Sequence, residues 1–324
     1  MILEGYMAES NDQNPGDRPG ENASRRMRLD LVKMAISIDE QSGTVVLGLV
    51  PDPRRYDSVE REGGSWYLDR YFQTLFRLED FAEAPMAGLP LYASDRTIDS
   101  APEYAARRRD AILSELKTGQ HQPPDETPRT HGNLVANDTE REIAFISVDI
   151  CGSTAYRRRD PKGFDQAYKI FMQELGTVVG HFQGSLLKAT GDGFIAYVDG
   201  PGFNVLVDNA IDLGGSLIRV LDEAINPEIV AHGLEALSIR VGADFGTAVV
   251  GEVRIASTGF VAIDVTSDAL NRSVKIEQSA HPNTFRIGYE LYRLAHVQWL
   301  ERSFAVKFDG DSVGIPDYQV FEVR

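Results

Sequence analysis

From residue 141 onward, the apolar residues fall into two alternating periods that set an order of elements. REIAFISVDI (141–150) is a short apolar, β-branched run that reads as a strand. FDQAYKIFMQELGTVVGHF (164–182) places Phe164, Tyr168, Phe171, Leu175 and Val178 along one stripe at helical spacing. GSLLKATGDGFIAYVDG (184–200) has two apolar arms around Thr190-Gly191-Asp192-Gly193, the pattern of a hairpin. FNVLVDNAIDLGGSLIRVLDEAI (203–225) predicts a second amphipathic helix, ALSIRVGADFGTAVVGEV (236–253) a further strand pair, and SDALNRSVKIEQSA (267–280) a third helix. The order β-α-ββ-α-β predicts an α+β fold, a ferredoxin-like palm with additional elements after it.

Upstream, the pattern describes a smaller α/β region. VKMAISIDEQSGTVVLGLVP (32–51) has two β-like runs around a Gly-containing turn, and SWYLDRYFQTLFRLEDF (65–81) has apolar residues at helical spacing. Tyr104–Leu116 reads as a helix whose Arg107, Arg108 and Arg109 form a solvated face. No catalytic motif stands out in 27–118. Residues 1–26 read as a disordered lead-in, and 119–140, with three prolines and almost nothing apolar, as a linker and domain boundary. That leaves 141–324 as the palm domain.

Composition narrows the classes. The 324 residues are 42% hydrophobic, and no apolar run approaches the ~20 needed to span a bilayer, so a cytoplasmic protein without membrane association is expected. A single cysteine, Cys151, excludes an internal disulfide and a multi-cysteine zinc site, and it reads as a small buried filler. A net charge of −16 argues against nucleic acid as a partner, although a local basic site for a triphosphate fits inside an acidic molecule.

The candidate chemistry begins at Asp149, which ends the strand at 141–150 on a charge. Alone, that aspartate reads as a helix N-cap. In the palm topology, however, the end of the first strand lies beside the hairpin turn, so Asp149 and Asp192 converge. Two carboxylates meeting there point to a hard divalent cation.

VDICGST (148–154), KATGDGF (188–194), VGADFGTAVVGEV (241–253) and DVTSDALN (264–271) resemble, in order, the four motif segments of class III nucleotidyl cyclases. The resemblance covers about 142–323 and implies two Mg²⁺ or Mn²⁺ ions per site, carried by Asp149 and Asp192 with the backbone carbonyl of Ile150. It implies base reading by Lys188 and its partner Asp264, ribose and phosphate orientation by Asn271, and triphosphate binding by Lys307 in FAVKF or by Arg254. It also implies a homodimer in which the metal aspartates of one subunit face the Lys/Asp/Asn set of the other. Diguanylate cyclases share the palm, but their GGDEF turn is absent.

One position departs from the family. Its transition-state arginine lies four residues after the asparagine, and here that position is Lys275, which keeps the charge but loses the planar fork. Arg272 cannot face the same way on a helix. The departure opens a rival reading, a nucleotide-binding pseudo-cyclase, against which stand the intact Asp149, Asp192 and Asn271. For the base, a lysine donor and an aspartate acceptor match adenine and cytosine, and guanine fits worst. The overall build resembles the cyclases of antiphage Pycsar systems, which implies cyclic CMP or cyclic UMP read by a downstream effector, with cyclic AMP as the alternative product.

Overall fold

A computed structural model describes residues 27–39, 44–61, 64–78, 98–125, 134–200 and 202–324; the lead-in expected over 1–26 lies outside them. The chain forms two compact units, one from Met1–Ala93 with Arg293–Glu301, the other from Ser94–Tyr292 with Arg302–Arg324. The division falls at 93/94, so the helix assigned above to the N-terminal region belongs to the larger unit.

In the smaller unit, β1 (Leu31–Asp39) and β2 (Thr44–Pro51) pair antiparallel, and β3 (Tyr56–Arg61), β4 (Gly64–Asp69) and β5 (Leu75–Arg77) form a second antiparallel sheet. The helix expected over 65–81 is not formed in its described part. The Asp69 side chain accepts from the Tyr71 and Phe72 amides at 2.9 and 3.2 Å, and Gln73 has φ 54°, so the chain turns back where a helix would continue. Leu29, Tyr56 and Phe76 make a small core. Beside it the buried Arg55 guanidinium bridges Asp30 (2.9 Å) and Asp69 (2.8 Å), and Asp30 also accepts from the Val297 amide of the 293–301 segment.

The larger unit opens with α1 (Ala101–Thr118). Its palm comprises β6 (Glu140–Ile150), α2 (Ser153–Arg159), α3 (Pro161–His181), β7 (Gly184–Ala189), β8 (Gly193–Val198), α4 (Phe203–Val220), β9 (Ile239–Ile255), β10 (Phe260–Thr266), α5 (Asp268–Ser279), β11 (Thr284–Gly288), β12 (Ser303–Val306) and β13 (Val320–Val323). The sheet runs β12-β13-β11-β9-β6-β8-β7, with β10 on β9 and β11 parallel to β9. Residues 143–148 of β6 are buried throughout, as befits a strand covered on both faces. The α+β palm is as expected, but 236–253 is not a strand pair. Its glycines do not turn the chain: β9 is one 17-residue strand, and Gly242 lies where a Cβ would come within 2.2 Å of the Glu277 amide of α5. The partner of its far half is β10, from Val249↔Thr266 to Ile255↔Phe260.

On α1 the solvated-face reading holds for the exposed Arg107 and Arg109 and fails for Arg108. It is buried and forks onto Glu174 of α3 (Nε–Oε2 2.8 Å, Nη2–Oε1 2.6 Å), while Arg109 pairs with Glu228 at 2.6 Å. No helix of the described residues is long and apolar enough to cross a membrane.

Candidate active site

The β6–β8 ladder places Asp149 opposite Gly193, next to Asp192 at the hairpin turn. The two glycines around Asp192 have separate reasons. Gly191 has φ +96°, a left-handed conformation that favours glycine, and a Cβ on Gly193 would stand 1.9 Å from the Val148 carbonyl oxygen. The turn therefore packs directly on the end of β6, and the Ile150 amide donates to the Asp192 carbonyl at 3.3 Å. Ser153, at the start of α2, donates its hydroxyl to the Asp192 carboxylate.

On the other side of β6, Arg240 of β9 stands in register with Asp149. Its Nη2 reaches Asp149 Oδ2 at 2.6 Å, and its Nε lies 3.0 Å from Glu277 Oε1 of α5. Burial pushes the Asp149 carboxyl up; the Arg240 hydrogen bond opposes this, and the neighbouring charge of Asp192 adds to it. Burial also pushes Glu277 up to about 7, against the pull of Arg240 and with Asp149 and Asp192 reinforcing the rise. Asp149 and Glu277 thus share one guanidinium, with Asp192 beside Asp149. Two hard carboxylates beside an incompletely balanced negative charge are a donor set that fits a divalent cation such as Mg²⁺ or Mn²⁺.

Arg240, Glu277 and Ser153 are the residues the sequence reasoning missed. The available signal was the register itself: once β6 and β9 pair, Arg240 falls opposite Asp149. Cys151, beside the site, is half-buried, and burial raises its thiol, in keeping with a filler.

The remaining expected residues are spread over the palm. Lys188 and Asp264 are exposed on β7 and β10, with β8, β6 and β9 between those strands. Asn271 is exposed on α5. One turn on, Lys275 is partly buried and donates its ammonium to the Val313 carbonyl. Arg272 faces away from Asn271, as expected, and pairs with the fully buried Asp244, which also accepts from the Tyr318 hydroxyl at 2.8 Å. Arg254 is exposed and paired with Glu252 at 2.7 Å. Lys307 is exposed and lies just past the end of β12.

No family model and no curated protein matches the sequence. Among solved structures, the guanylyl cyclase Cya2 is similar at 19% identity and a TM-score of 0.50, over 57% of this chain and 93% of that one. For the adenylyl cyclase CyaB from P. aeruginosa the identity is 17% and the TM-score 0.49, over 57% and 95%. At these identities the likeness speaks to fold, and the palm has the fold of a nucleotidyl cyclase domain.

Proposed function

We propose that this protein is a nucleotidyl cyclase. The ribose 3′-oxygen of a nucleoside triphosphate attacks its own α-phosphorus, the 3′-O–P bond forms, the bond from that phosphorus to the bridging oxygen breaks, and pyrophosphate leaves with the 3′-proton passing to solvent. The observation that carries this reading is the meeting of the Asp149 and Asp192 carboxylates at the tips of β6 and the β7–β8 hairpin.

Asp149, Asp192 and the Ile150 carbonyl would hold two Mg²⁺ or Mn²⁺ ions, which supply polarisation of the 3′-hydroxyl and neutralisation of phosphate charge when bound. Asn271 orients the ribose, Lys275 meets charge developing on the α-phosphate, and Lys307 or Arg254 holds the triphosphate. Lys188 donates to a ring nitrogen and Asp264 accepts from an exocyclic amine. Cytosine satisfies that pair, and with the likeness in build to the antiphage enzymes we take a pyrimidine triphosphate as substrate and cyclic CMP or cyclic UMP as a signal for an effector.

The working form is a homodimer with shared sites. The β9–β10 arm exposes Val253, Ile255, Phe260, Val261 and Ile263, an apolar set suited to a second copy of this chain. One observation favours a nucleotide-binding, non-catalytic reading instead: the Lys275 ammonium is already engaged by Val313. Incubating the purified protein with ATP, GTP, CTP and UTP in Mn²⁺ separates these. Cyclic CMP or cyclic UMP supports the proposal, cyclic AMP keeps the cyclase and changes the base, and binding without product gives the pseudo-cyclase.

A further inference from the structure

A second cluster of ligating groups lies in the helical layer of the larger unit, on residues that the cyclase reading does not use. Glu115 is on the last turns of α1, and Glu174 is in the middle of α3. Gly119 caps α1 with φ 74°, and the chain turns back so that His121 lies over Glu115. His121 Nδ1 stands 2.7 Å from Glu115 Oε2 and 3.7 Å from Glu174 Oε1. One ligand atom from each of the three residues lies within 4.8 Å of the others. Both carboxylates are buried, with side-chain exposures of 2% and 0%, whereas His121 keeps 17%.

The charges of the two carboxylates are met differently. Glu174 takes the Arg108 fork, whose Nη2 also donates to the Gln122 carbonyl at 2.7 Å and so fixes the loop that carries His121. Glu115 has no such partner. Its Oε1 is buried without a hydrogen bond; the nearest cation, Lys169 Nζ, is 3.9 Å away and donates to the Gly119 carbonyl instead. A buried carboxylate oxygen left open beside an imidazole and a second carboxylate costs free energy that a cation would offset.

We propose that Glu115, His121 and Glu174 form a binding site for a divalent transition-metal ion of the zinc class, tying the end of α1 and the loop after it to α3. Two carboxylate oxygens and one imidazole nitrogen are three of the four ligands such an ion takes, leaving a position for water, and partly exposed His121 marks the open side. Binding replaces the His121–Glu115 hydrogen bond by two bonds to the metal, with Arg108 holding Glu174 from behind.

The test uses the full chain and Zn²⁺ alone, with metal content after dialysis and the shift in melting temperature as readouts. Asp192→Asn serves as control because it weakens metal uptake at the other acidic site. In the Asp192→Asn background one equivalent of Zn²⁺ and an upward melting shift are expected, and both should be lost in Asp192→Asn/His121→Ala and in Asp192→Asn/Glu115→Gln. With Co²⁺ in place of Zn²⁺, visible absorption of a four-coordinate site should appear and vanish with the same substitutions. His121→Ala removes the 2.7 Å contact to buried Glu115, so its metal-free melting temperature should fall below its parent's, and the deciding readout is the Zn²⁺-induced shift measured from each protein's own metal-free value. No uptake in the Asp192→Asn protein, or uptake unchanged by His121→Ala, overturns the proposal. Neither result bears on cyclase activity, which is read separately.

Discussion

Arg240 stands opposite Asp149 across the β6–β9 ladder and donates to it at 2.6 Å, while its Nε faces Glu277 at 3.0 Å. The guanidinium therefore holds Asp149, the aspartate proposed above to bind metal, and neutralises a buried carboxylate at once. Arg240→Ala should lower stability by about 2 kcal/mol, less than for a fully buried pair because Arg240 keeps 28% of its side-chain surface exposed. The Arg240→Ala/Glu277→Gln double variant should lose less than the sum of the single losses, since Glu277 is then no longer a stranded charge and only Asp149 is left without its partner. Urea unfolding of the four proteins measures this, and strict additivity would count against the shared role.

Glu277 gives a pH dependence. Its folded-state pKa is raised to about 7 from 4.5, so between those values the native state holds a proton that the unfolded chain has released. Stability from this group is present at low pH and is lost as pH rises through that window. Arg240, Asp149, Asp192 and Ser147 are the groups that face Glu277. In chelator-treated protein, unfolding free energy should fall between pH 4.5 and 7 more steeply in the wild type than in Glu277→Gln. Parallel curves would remove Glu277 from the account.

The sequence carried the palm's order and the meeting of Asp149 with Asp192, because strand and helix periods and the Gly-Asp-Gly turn are local features. What stayed illegible depended on pairing. The single strand over 236–253 was hidden because Gly242 answers to α5, distant in sequence, and serves close packing against it. Arg240 was an ordinary strand arginine until the register put it opposite Asp149. The segment at 65–81 had helical spacing, but Asp69 caps the Tyr71 and Phe72 amides and reverses the chain. Arg108 was read as solvated because nothing local announces that Glu174, on another helix, waits for it.

The shared site is tested by complementation. Asp149→Ala and Asn271→Ala chains, each inactive alone, should regain activity when mixed, because one of the two sites in a heterodimer would be intact. The expected ceiling is about a quarter of wild-type activity under free exchange. No recovery despite demonstrated subunit exchange would place the site within one chain.

The arm should be the contact that makes exchange possible. Phe260 and Ile263 are 50% and 52% exposed on β10, and a charge on such an apolar surface disfavours its burial in a dimer. Phe260→Asp/Ile263→Asp should sediment as a monomer with an unchanged circular-dichroism spectrum and should lose turnover. A dimer that persists would move the interface elsewhere.

Lys275 is the position where the chain departs from the cyclase pattern its motifs resemble, and its ammonium donates to the Val313 carbonyl from one turn beyond Asn271. For catalysis it must exchange that carbonyl for the α-phosphate as charge builds there. Lys275→Ala should then lower kcat by roughly 10–1000-fold, the range for removing one stabiliser of a developing oxyanion, with KM little changed because the contact strengthens mainly in the transition state. Lys275→Arg tests the geometry: a planar fork can keep a bond to Val313 while a second N–H reaches phosphate, so the rate should hold or rise. A stability measurement separates the two duties, since loss of the Val313 contact alone should cost about 1 kcal/mol and leave kcat untouched. If Lys275→Ala shows only that small loss of stability, Lys275 is a strut for the C-terminal turn, and Lys307 or Arg254 must carry the phosphate charge.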